Sequence, residues 1–219
     1  MRFVVTTGLN GSPNLPAAAK KWAVQLNVPY LPGMAALRLK SLMQGGKDNF
    51  VEALGLKRGM KVLDCTMGLA GDATIASHIC GDTGRVVALE ASEPVWFVVT
   101  NGLKSYKDED ENLIKAFHRI ETVQTTAEDY LKDLPDNSFD VVYFDPMFRH
   151  PVCSSANMVP LRPVAYDKPL EEYIIEQALR VAPVVVVKER SVKTLEKLGM
   201  TEVHGGRYSR VKYGVRRRK

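Results

Sequence analysis

Hydrophobic and polar positions alternate between two periods along most of the chain. Short, nearly continuous apolar runs of strand length are followed by segments in which apolar residues recur at helical spacing. The predicted strands are 62–64, 85–90, 119–125, 139–144 and 184–187. The predicted helices that follow them are 73–79, 93–103, 127–131, 170–181 and 192–198. This alternation predicts an α/β fold with a doubly wound, mostly parallel sheet.

Other segments depart from this alternation. Residues 1–33 predict a small β-α-β-like extension, because a β-branched run, a helix start containing Pro16 and a short extended piece follow one another. Residues 34–219 then form the main domain, in which the acidic run 108–111 is expected to be a solvated linker. Before its first strand, helices are predicted over 34–43 and 48–54. At its end, 200–204 and 208–213 are predicted to pair as an antiparallel hairpin.

The stretch from Val62 to Asp72 predicts a strand, a tight loop and the start of a helix. The strand ends on Asp64, and the loop contains Gly68 and Gly71. In an open α/β sheet, ligands bind outside such strand ends, where free helix N–H groups point at the ligand. A dinucleotide site is disfavoured, because only the Gly68-x-x-Gly71 spacing fits its fingerprint. A carboxylate at the strand end favours a cationic ligand such as S-adenosylmethionine (SAM), the alternative being a tight turn that binds nothing.

Four acidic positions fall at the carboxyl ends of consecutive predicted strands, which parallel topology brings to one edge. They are Asp64, Glu90, the pair Glu128 and Asp129, and Asp145. Glu90 is placed to accept the ribose hydroxyls of an adenosine. Glu128 or Asp129 is placed to accept from the adenine amine, in a pocket lined by Thr126 and Ala127. The alternative for this pair is simple stabilisation of a helix N-terminus.

The tetrapeptide Asp145-Pro146-Met147-Phe148 carries the candidate chemistry. An acid followed by Pro, with an aromatic residue two places on, suits methylation of an exocyclic amine. Asp145 would orient the amine and accept from it, and Phe148 would stack on the base, which contributes about 1 to 3 kcal/mol. The alternative is a strand that ends at an Asp-Pro turn. The predicted catalytic residues are therefore Asp145, Pro146 and Phe148.

Positive charge is concentrated at the C-terminus. The chain carries a net charge of +5, and seven basic residues without an acid lie between Arg207 and Lys219. Removing these seven charges leaves the preceding part at −2. Such a tail, with Arg38 and Lys40, predicts contacts to phosphate groups, the alternative being a solvated, partly disordered terminus.

Composition narrows the class of protein further. A hydrophobic content of 45% with 25% charged residues is typical of a globular protein, and no apolar run is as long as a membrane span. The first twenty residues contain polar Thr6, Thr7, Asn10 and Ser12, where a signal peptide would have an apolar segment. We therefore expect a cytoplasmic protein without membrane contact. Cys65, Cys80 and Cys153 lack C-x-x-C spacing and the histidines are scattered, so no disulfide or metal site is expected, and Cys65 and Cys80 are assigned to the core.

The chain resembles the class I SAM-dependent methyltransferases, and more closely the family of small-subunit ribosomal RNA methyltransferase J, which methylates the 2-amino group of a guanine. The stretches that carry the likeness are 64–72, 89–95, 142–148 and 185–188. The resemblance implies a Rossmann-like, seven-stranded sheet, SAM as cofactor and ribosomal RNA as partner. The SAM-lining residues that it implies are Gly71, Asp72, Glu90, Ala91, Thr126, Ala127 and Asp145. The likeness weakens at 149–153, where the family is richer in lysine.

These observations lead to one hypothesis with two rivals. The hypothesis is a SAM-dependent methyltransferase of an exocyclic base amine in RNA, with guanine in ribosomal RNA as the expected target. A methyltransferase of small molecules or proteins would act almost independently of ionic strength, whereas RNA binding weakens steeply with salt. A non-catalytic RNA-binding module would bind RNA regardless of SAM and of Asp145→Ala.

Overall fold

A computed structural model of the protein describes residues 33–146, 168–206 and 209–218. The predicted extension over 1–33 lies outside these ranges except for Gly33, and it stays a prediction. Met147, Phe148 and Cys153 also lie outside them, so the stacking role of Phe148 is untested.

The sheet has seven strands in the order β3-β2-β1-β4-β5-β7-β6. They are β1 (Lys61–Asp64), β2 (Arg85–Glu90), β3 (Ile120–Gln124), β4 (Val141–Phe144), β5 (Val184–Glu189), β6 (Glu202–His204) and β7 (Lys212–Arg217). The first five strands pair in parallel, whereas β7 is antiparallel to both β5 and β6. The predicted mostly parallel sheet with a C-terminal antiparallel hairpin is therefore confirmed.

Of the described α-helices, two precede β1 and the other six lie in the connections between the strands. In chain order, the described helices are α1 (Ala35–Met43), α2 (Asn49–Leu54), α3 (Gly71–Cys80), α4 (Glu93–Ser105), α5 (Glu111–His118), α6 (Ala127–Asp133), α7 (Glu172–Val181) and α8 (Val192–Lys197). Several begin at residues that cap them: the side chains of Asp48, Ser92, Asp110, Thr126 and Ser191 accept hydrogen bonds from first-turn N–H groups.

The prediction of a solvated linker at 108–111 was wrong in part. Asp110 accepts a hydrogen bond from Asn112 N at 2.9 Å and begins α5, which sequence reading missed. Leu113 and Phe117 of this helix are buried, and the helix packs against α3 and α4. The acids are placed at its start because negative charge is favourable at a helix N-terminus.

Both faces of the sheet are buried. Val62, Val86 and Tyr143 pack with α1 to α5 on one face, and Leu63 and Phe144 pack on the other, against which α6 to α8 lie. Cys65 and Cys80 are buried, as predicted. Because the central strands β1, β2, β4 and β5 are covered on both sides, their sequences are mostly apolar until the polar residues at the carboxyl edge. That edge is therefore where chemistry-bearing side chains collect.

Candidate active site

Asp64 ends β1 and is only 2% exposed. Its Oδ1 accepts hydrogen bonds from Thr66 N at 3.0 Å and Thr66 Oγ1 at 3.4 Å. Burial raises the pKa of Asp64 to about 8, although the Thr66 N–H opposes the shift. The same Thr66 hydroxyl accepts from Asp145 N at 2.5 Å, so the loop after β1 is tied directly to the end of β4.

Asp72, in the first turn of α3, connects several elements. Its Oδ1 accepts from Arg38 Nη1 at 2.5 Å, and its Oδ2 accepts from Tyr143 Oη at 2.8 Å and Lys188 Nζ at 3.0 Å. Burial alone would raise the pKa of Asp72, but Lys188 and Arg38 hold it well below its usual range. With these donors in place, the Asp72 carboxylate is occupied by protein groups, although the sequence assigned it to the cofactor.

Asp145 follows β4 and shares the ammonium group of Lys188 with Asp72. Lys188 Nζ donates to Asp145 Oδ2 at 2.7 Å, which leaves Oδ1 without a donor among the described residues. Burial raises the pKa of Asp145 to about 6 even though Lys188 opposes the shift. Burial would lower the pKa of Lys188, but Asp72 and Asp145 raise it above its ordinary value. Lys188 therefore remains charged and cannot act as a base.

Arg38 does not serve the phosphate-binding role that the sequence suggested. Its guanidinium forms an ion pair with Asp48 at 2.8 Å and with Asp72, and its side chain is 23% exposed. The physical reason is that two nearly buried carboxylates require a positive partner. Lys40, on the same helix, is exposed.

The charges of this cluster do not cancel. The carboxylates of Asp48, Asp72 and Asp145 face the cations of Arg38 and Lys188, which leaves one negative charge in excess even when Asp64 is neutral. The raised pKa values of Asp64 and Asp145 are the response to burial and to this excess. A site with this balance is suited to a ligand that carries positive charge.

Glu90 ends β2 and lies against the loop after β1. Its Oε2 accepts from Gly68 N at 3.1 Å and its Oε1 from Ser92 N at 2.9 Å. Burial raises the pKa of Glu90, while these N–H groups oppose the shift. The Glu90 carboxylate is thus fixed at the carboxyl edge of the sheet, next to Ala91. Its role in binding a ribose stays a prediction.

The loop between β1 and α3 has the backbone of a ligand-binding turn. Gly68 has φ +50°, a region that glycine adopts readily, and Ala70 has φ +58°. Ala70 has no side-chain acceptor to cap α3, so the first N–H groups of this helix face outward from the loop. A Cβ added at Gly71 would meet no atom within 4 Å, which means that open space adjoins this residue.

The four residues predicted to form the adenine pocket lie together at the start of α6, and three of their side chains form hydrogen bonds within the protein. Thr126 caps α6, donates to Asp129 Oδ2 at 2.7 Å and accepts from Asp129 N at 3.1 Å, and Ala127 is the first residue of the helix. Glu128 instead accepts from Lys168 Nζ at 2.6 Å and from the Tyr173 hydroxyl. Each of the two predicted acceptors therefore has one carboxylate oxygen engaged, Oε1 of Glu128 and Oδ2 of Asp129.

The described part of the basic tail is mostly a strand, and not the solvated, partly disordered terminus that was the alternative to a phosphate-contacting patch. Residues 212–217 form β7, inside the sheet, whereas the predicted strand covered 208–213. Arg216 pairs with Glu172 and Glu176, and Arg217 pairs with Glu202. Further on, Arg218 donates to the backbone oxygens of Leu179 and Arg180 and to Asn137 Oδ1.

Sequence reading missed the roles of Thr66, Tyr143 and Lys188. Lys188 follows the apolar run of β5, just as Asp64, Glu90 and Asp145 follow the apolar runs of their strands. Because β5 lies next to β4, Lys188 could have been predicted at the same edge of the sheet. Tyr143 gave no such signal, since an aromatic residue inside a buried strand is typical of a core.

Within the described ranges, no helix is both long and apolar enough to span a membrane. The same part of the chain contains no group of three or more His, Cys, Asp or Glu side chains arranged to hold a metal ion.

The chain is similar in sequence to an uncharacterized bacterial protein and to ribosomal RNA methyltransferases. It is 45% identical over 158 residues to "Uncharacterized protein YpiP" of Bacillus subtilis, an alignment that covers 72% of this chain and 62% of the relative. It is 32% identical over 146 residues to ribosomal RNA small subunit methyltransferase J of Saccharophagus degradans, covering 61% of this chain and 52% of that protein. The chain therefore spans little more than half the length of these relatives.

Structural and family comparisons agree on the fold. A SAM-dependent methyltransferase from Neisseria gonorrhoeae superposes with a TM-score of 0.60 at 17% identity, covering 87% of this chain and 74% of the neighbour. Residues 14–211 match the model of the family described as "Putative SAM-dependent methyltransferase". The chain therefore belongs to this SAM-dependent methyltransferase family, whose cofactor is S-adenosyl-L-methionine, and its sheet is the Rossmann-like one that the sequence predicted.

Proposed function

We propose that the protein transfers a methyl group from SAM to an exocyclic base amine in RNA, and that the target is the 2-amino group of a guanine in ribosomal RNA. The observation that carries this proposal is the position of Asp145. Its carboxylate lies at the carboxyl end of a central strand, with Oδ2 held by Lys188 and with no donor to Oδ1 among the described residues.

The residues at this edge fit a cationic nucleoside cofactor. The cluster has one unbalanced negative charge, and Gly71 adjoins open space at the uncapped start of α3. Glu90 and Ala91 would hold the ribose, Asp64 and the backbone of Gly68, Gly71 and Asp72 the methionine end, and Thr126, Ala127 and one of the acids Glu128 and Asp129 the adenine. When bound, SAM supplies a methyl group on a positively charged sulfur, which becomes a neutral thioether as the nitrogen–carbon bond forms.

The protein's own part in the reaction is to position the amine and remove a proton. Asp145 Oδ1 accepts one amine hydrogen, which directs the nitrogen lone pair toward the methyl group. After the new bond forms, the excess proton leaves the nitrogen for the same carboxylate. With a pKa near 6, Asp145 is ionised at neutral pH and able to accept it. Pro146 would fix the turn after Asp145, and Phe148 would stack on the base.

The choice of RNA rests on two observations. Relatives that share 32% and 35% identity with this chain are named ribosomal RNA small subunit methyltransferase J. In addition, exposed cations lie toward the carboxyl edge of the sheet: Lys193 is in the first turn of α8, which follows β5, and Arg210 lies two residues before β7. Positive charge next to the reacting edge favours a polyanionic substrate. Such a substrate also implies action in the cytoplasm.

Transfer of labelled methyl from SAM to total RNA and to small ribosomal subunits tests the proposal. We expect the native protein to label RNA and Asp145→Ala to lose at least about 100-fold in rate, the scale of one general base. Asp133→Ala is the matched control, because Asp133 is an exposed acid at the end of α6, and it should retain the native rate.

The rivals predict different results in the same assay. If SAM binds but RNA stays unlabelled while a protein or small-molecule extract is labelled, the RNA substrate is wrong. If RNA binds equally with and without SAM and with Asp145→Ala, and nothing is labelled, the protein is a binding module.

A further inference from the structure

Lys188 connects the cofactor side of the site to the substrate side. Its Nζ lies 3.0 Å from Oδ2 of Asp72, in the first turn of α3, and 2.7 Å from Oδ2 of Asp145, after β4. The loop between β1 and α3 is called the cofactor loop below. Its side chain is 20% exposed, so water competes only weakly for the ammonium group. The sequence motif around Asp145 does not indicate that Lys188 forms ion pairs with both Asp72 and Asp145.

We propose that Lys188 is a positioning residue: it anchors Oδ2 of Asp145, so that Oδ1 faces the substrate amine at a fixed distance from the cofactor loop. This inference rests on the proposed function, since it assigns the device that orients the proposed acceptor.

The surroundings of Lys188 explain why it holds one position. Asp72 is itself held by Arg38 at 2.5 Å and by the Tyr143 hydroxyl at 2.8 Å, so the carboxylate that receives Lys188 is fixed from α1 and from β4. Asp145 is fixed at its backbone by Thr66. The ammonium group therefore lies between two anchored carboxylates.

A positional role is chemically distinct from a catalytic one. Lys188 is a donor to two carboxylates and stays protonated, so it neither accepts the amine proton nor attacks the methyl group. Its effect on the reaction passes through Asp145. The charged or titratable groups that face this pair from the described elements are Asp64, Asp72, Arg38, Tyr143 and Tyr213.

The first test needs no substrate. The titration of the Asp145 carboxyl carbon is followed by NMR in the native protein and in Lys188→Met, with Asp145→Asn used for assignment. Removing a cation from a carboxylate raises its pKa, so we expect the Asp145 titration to move to higher pH in Lys188→Met and to return toward the native value in Lys188→Arg. Lys197→Met changes an exposed lysine at the C-terminal end of α8, so it is the matched control and should leave the titration unchanged. An unchanged Asp145 titration in Lys188→Met would overturn the proposal.

The second test uses the methyl-transfer assay. Lys188→Met should reduce kcat at least about 10-fold and move the acidic limb of its pH profile upward, while SAM affinity changes less than about threefold. In the Asp145→Ala background the same substitution should cause no further loss, because the two residues act as one unit. Additive losses would contradict the positional role. If the native protein labels no RNA, the proposed function fails, and the NMR titration alone decides the role of Lys188.

Discussion

At the scale of single residues, protonation of Asp145 is set by the charges around it. Its pKa of about 6 lies above the usual value for Asp, so near pH 6 about half of the unliganded molecules carry a proton there. A bound cation stabilises the ionised form and drives this proton off. We therefore expect SAM binding near pH 6 to release about half a proton from Asp145 and to tighten as the pH rises from about 5 to 7.

Calorimetry in buffers of different ionisation enthalpy measures this release. Asp145→Asn should reduce it and flatten the pH dependence, whereas Asp133→Asn should not. If the native protein and Asp145→Asn release the same number of protons, SAM binding is not linked to the ionisation of Asp145.

Gly71 tests the cofactor site by steric means. Its φ lies outside the left-handed region and a Cβ there meets no protein atom, so Gly71→Ala should fold normally, with its free energy of unfolding unchanged or raised by up to about 1 kcal/mol. The added methyl group would occupy the space proposed for the ligand. We expect SAM affinity, measured by calorimetry, to fall at least about 10-fold, or about 1.4 kcal/mol. Gly206→Ala, also in open space, is the control, and unimpaired SAM binding by Gly71→Ala would place the ligand elsewhere.

The sequence predicted the acidic residues of the site but not the residues that form ion pairs with them. Asp64, Glu90 and Asp145 are identifiable because each follows a buried strand. Arg38 was assigned to phosphate, because its two carboxylate partners come from α2 and α3 and are brought together only by tertiary packing.

At the scale of elements, Arg38 attaches α1 to the cofactor loop. The Arg38 ion pairs with Asp48 and Asp72 involve carboxylates that are only 11% and 10% exposed. Arg38→Met would leave both charges without this partner, so we expect the free energy of unfolding at neutral pH to fall by about 2 kcal/mol or more. Arg85→Met is the control, because the Arg85 and Glu121 side chains are 47% and 52% exposed and their pair should contribute less than about 1 kcal/mol.

The pH dependence of this loss gives a second check. Burial opposes the shift, but Arg38 holds the pKa of Asp48 and Asp72 below its usual value. The stability from a lowered carboxyl pKa is present above the unfolded pKa and disappears as the pH falls. Denaturant unfolding should therefore show a smaller effect of Arg38→Met at about pH 3 than at pH 7. An equal loss at both pH values would assign the effect to packing of the arginine stem.

Strands were predicted well where both faces of the sheet are buried, and less well toward the ends of the sheet. β1, β2, β4 and β5 are apolar runs because helices cover both faces. The later part of β7 was predicted as a basic tail, since Arg216 and Arg217 are consecutive and their partners Glu172, Glu176 and Glu202 are distant in sequence. Gly214 fits there because a Cβ would approach Met200 Cγ to 2.6 Å.

At the scale of the whole molecule, the direction of β7 separates the C-terminal cations into two groups. Arg210 and Lys212 are at the end of β7 that pairs with Glu189, at the carboxyl edge of the parallel strands, whereas Arg216 and Arg217 pair with Val185 and Val184 at the opposite edge. The first group lies on the side of Lys188 and Asp145. RNA that reaches the candidate site would therefore contact Arg210 and Lys193 rather than the terminal arginines.

Charge reversal distinguishes these two groups. Arg210→Glu combined with Lys193→Glu should weaken RNA binding at least about 10-fold and reduce its salt dependence, because each lost phosphate contact lowers the slope by about one. Arg217→Glu with Glu202→Arg reverses a pair at the opposite edge and should leave RNA affinity unchanged. Filter binding across a salt series measures both. Weaker binding in the second variant alone would move the RNA surface to that edge.

The central claim is that Asp145 directs methyl transfer to a base amine. The most direct measurement is nucleoside analysis by mass spectrometry after the native protein and Asp145→Ala have acted on small ribosomal subunits with labelled SAM. The account predicts label on the exocyclic nitrogen of a guanosine with the native protein and none with Asp145→Ala. Label on a ribose hydroxyl or a base carbon, or equal labelling by both proteins, would contradict it.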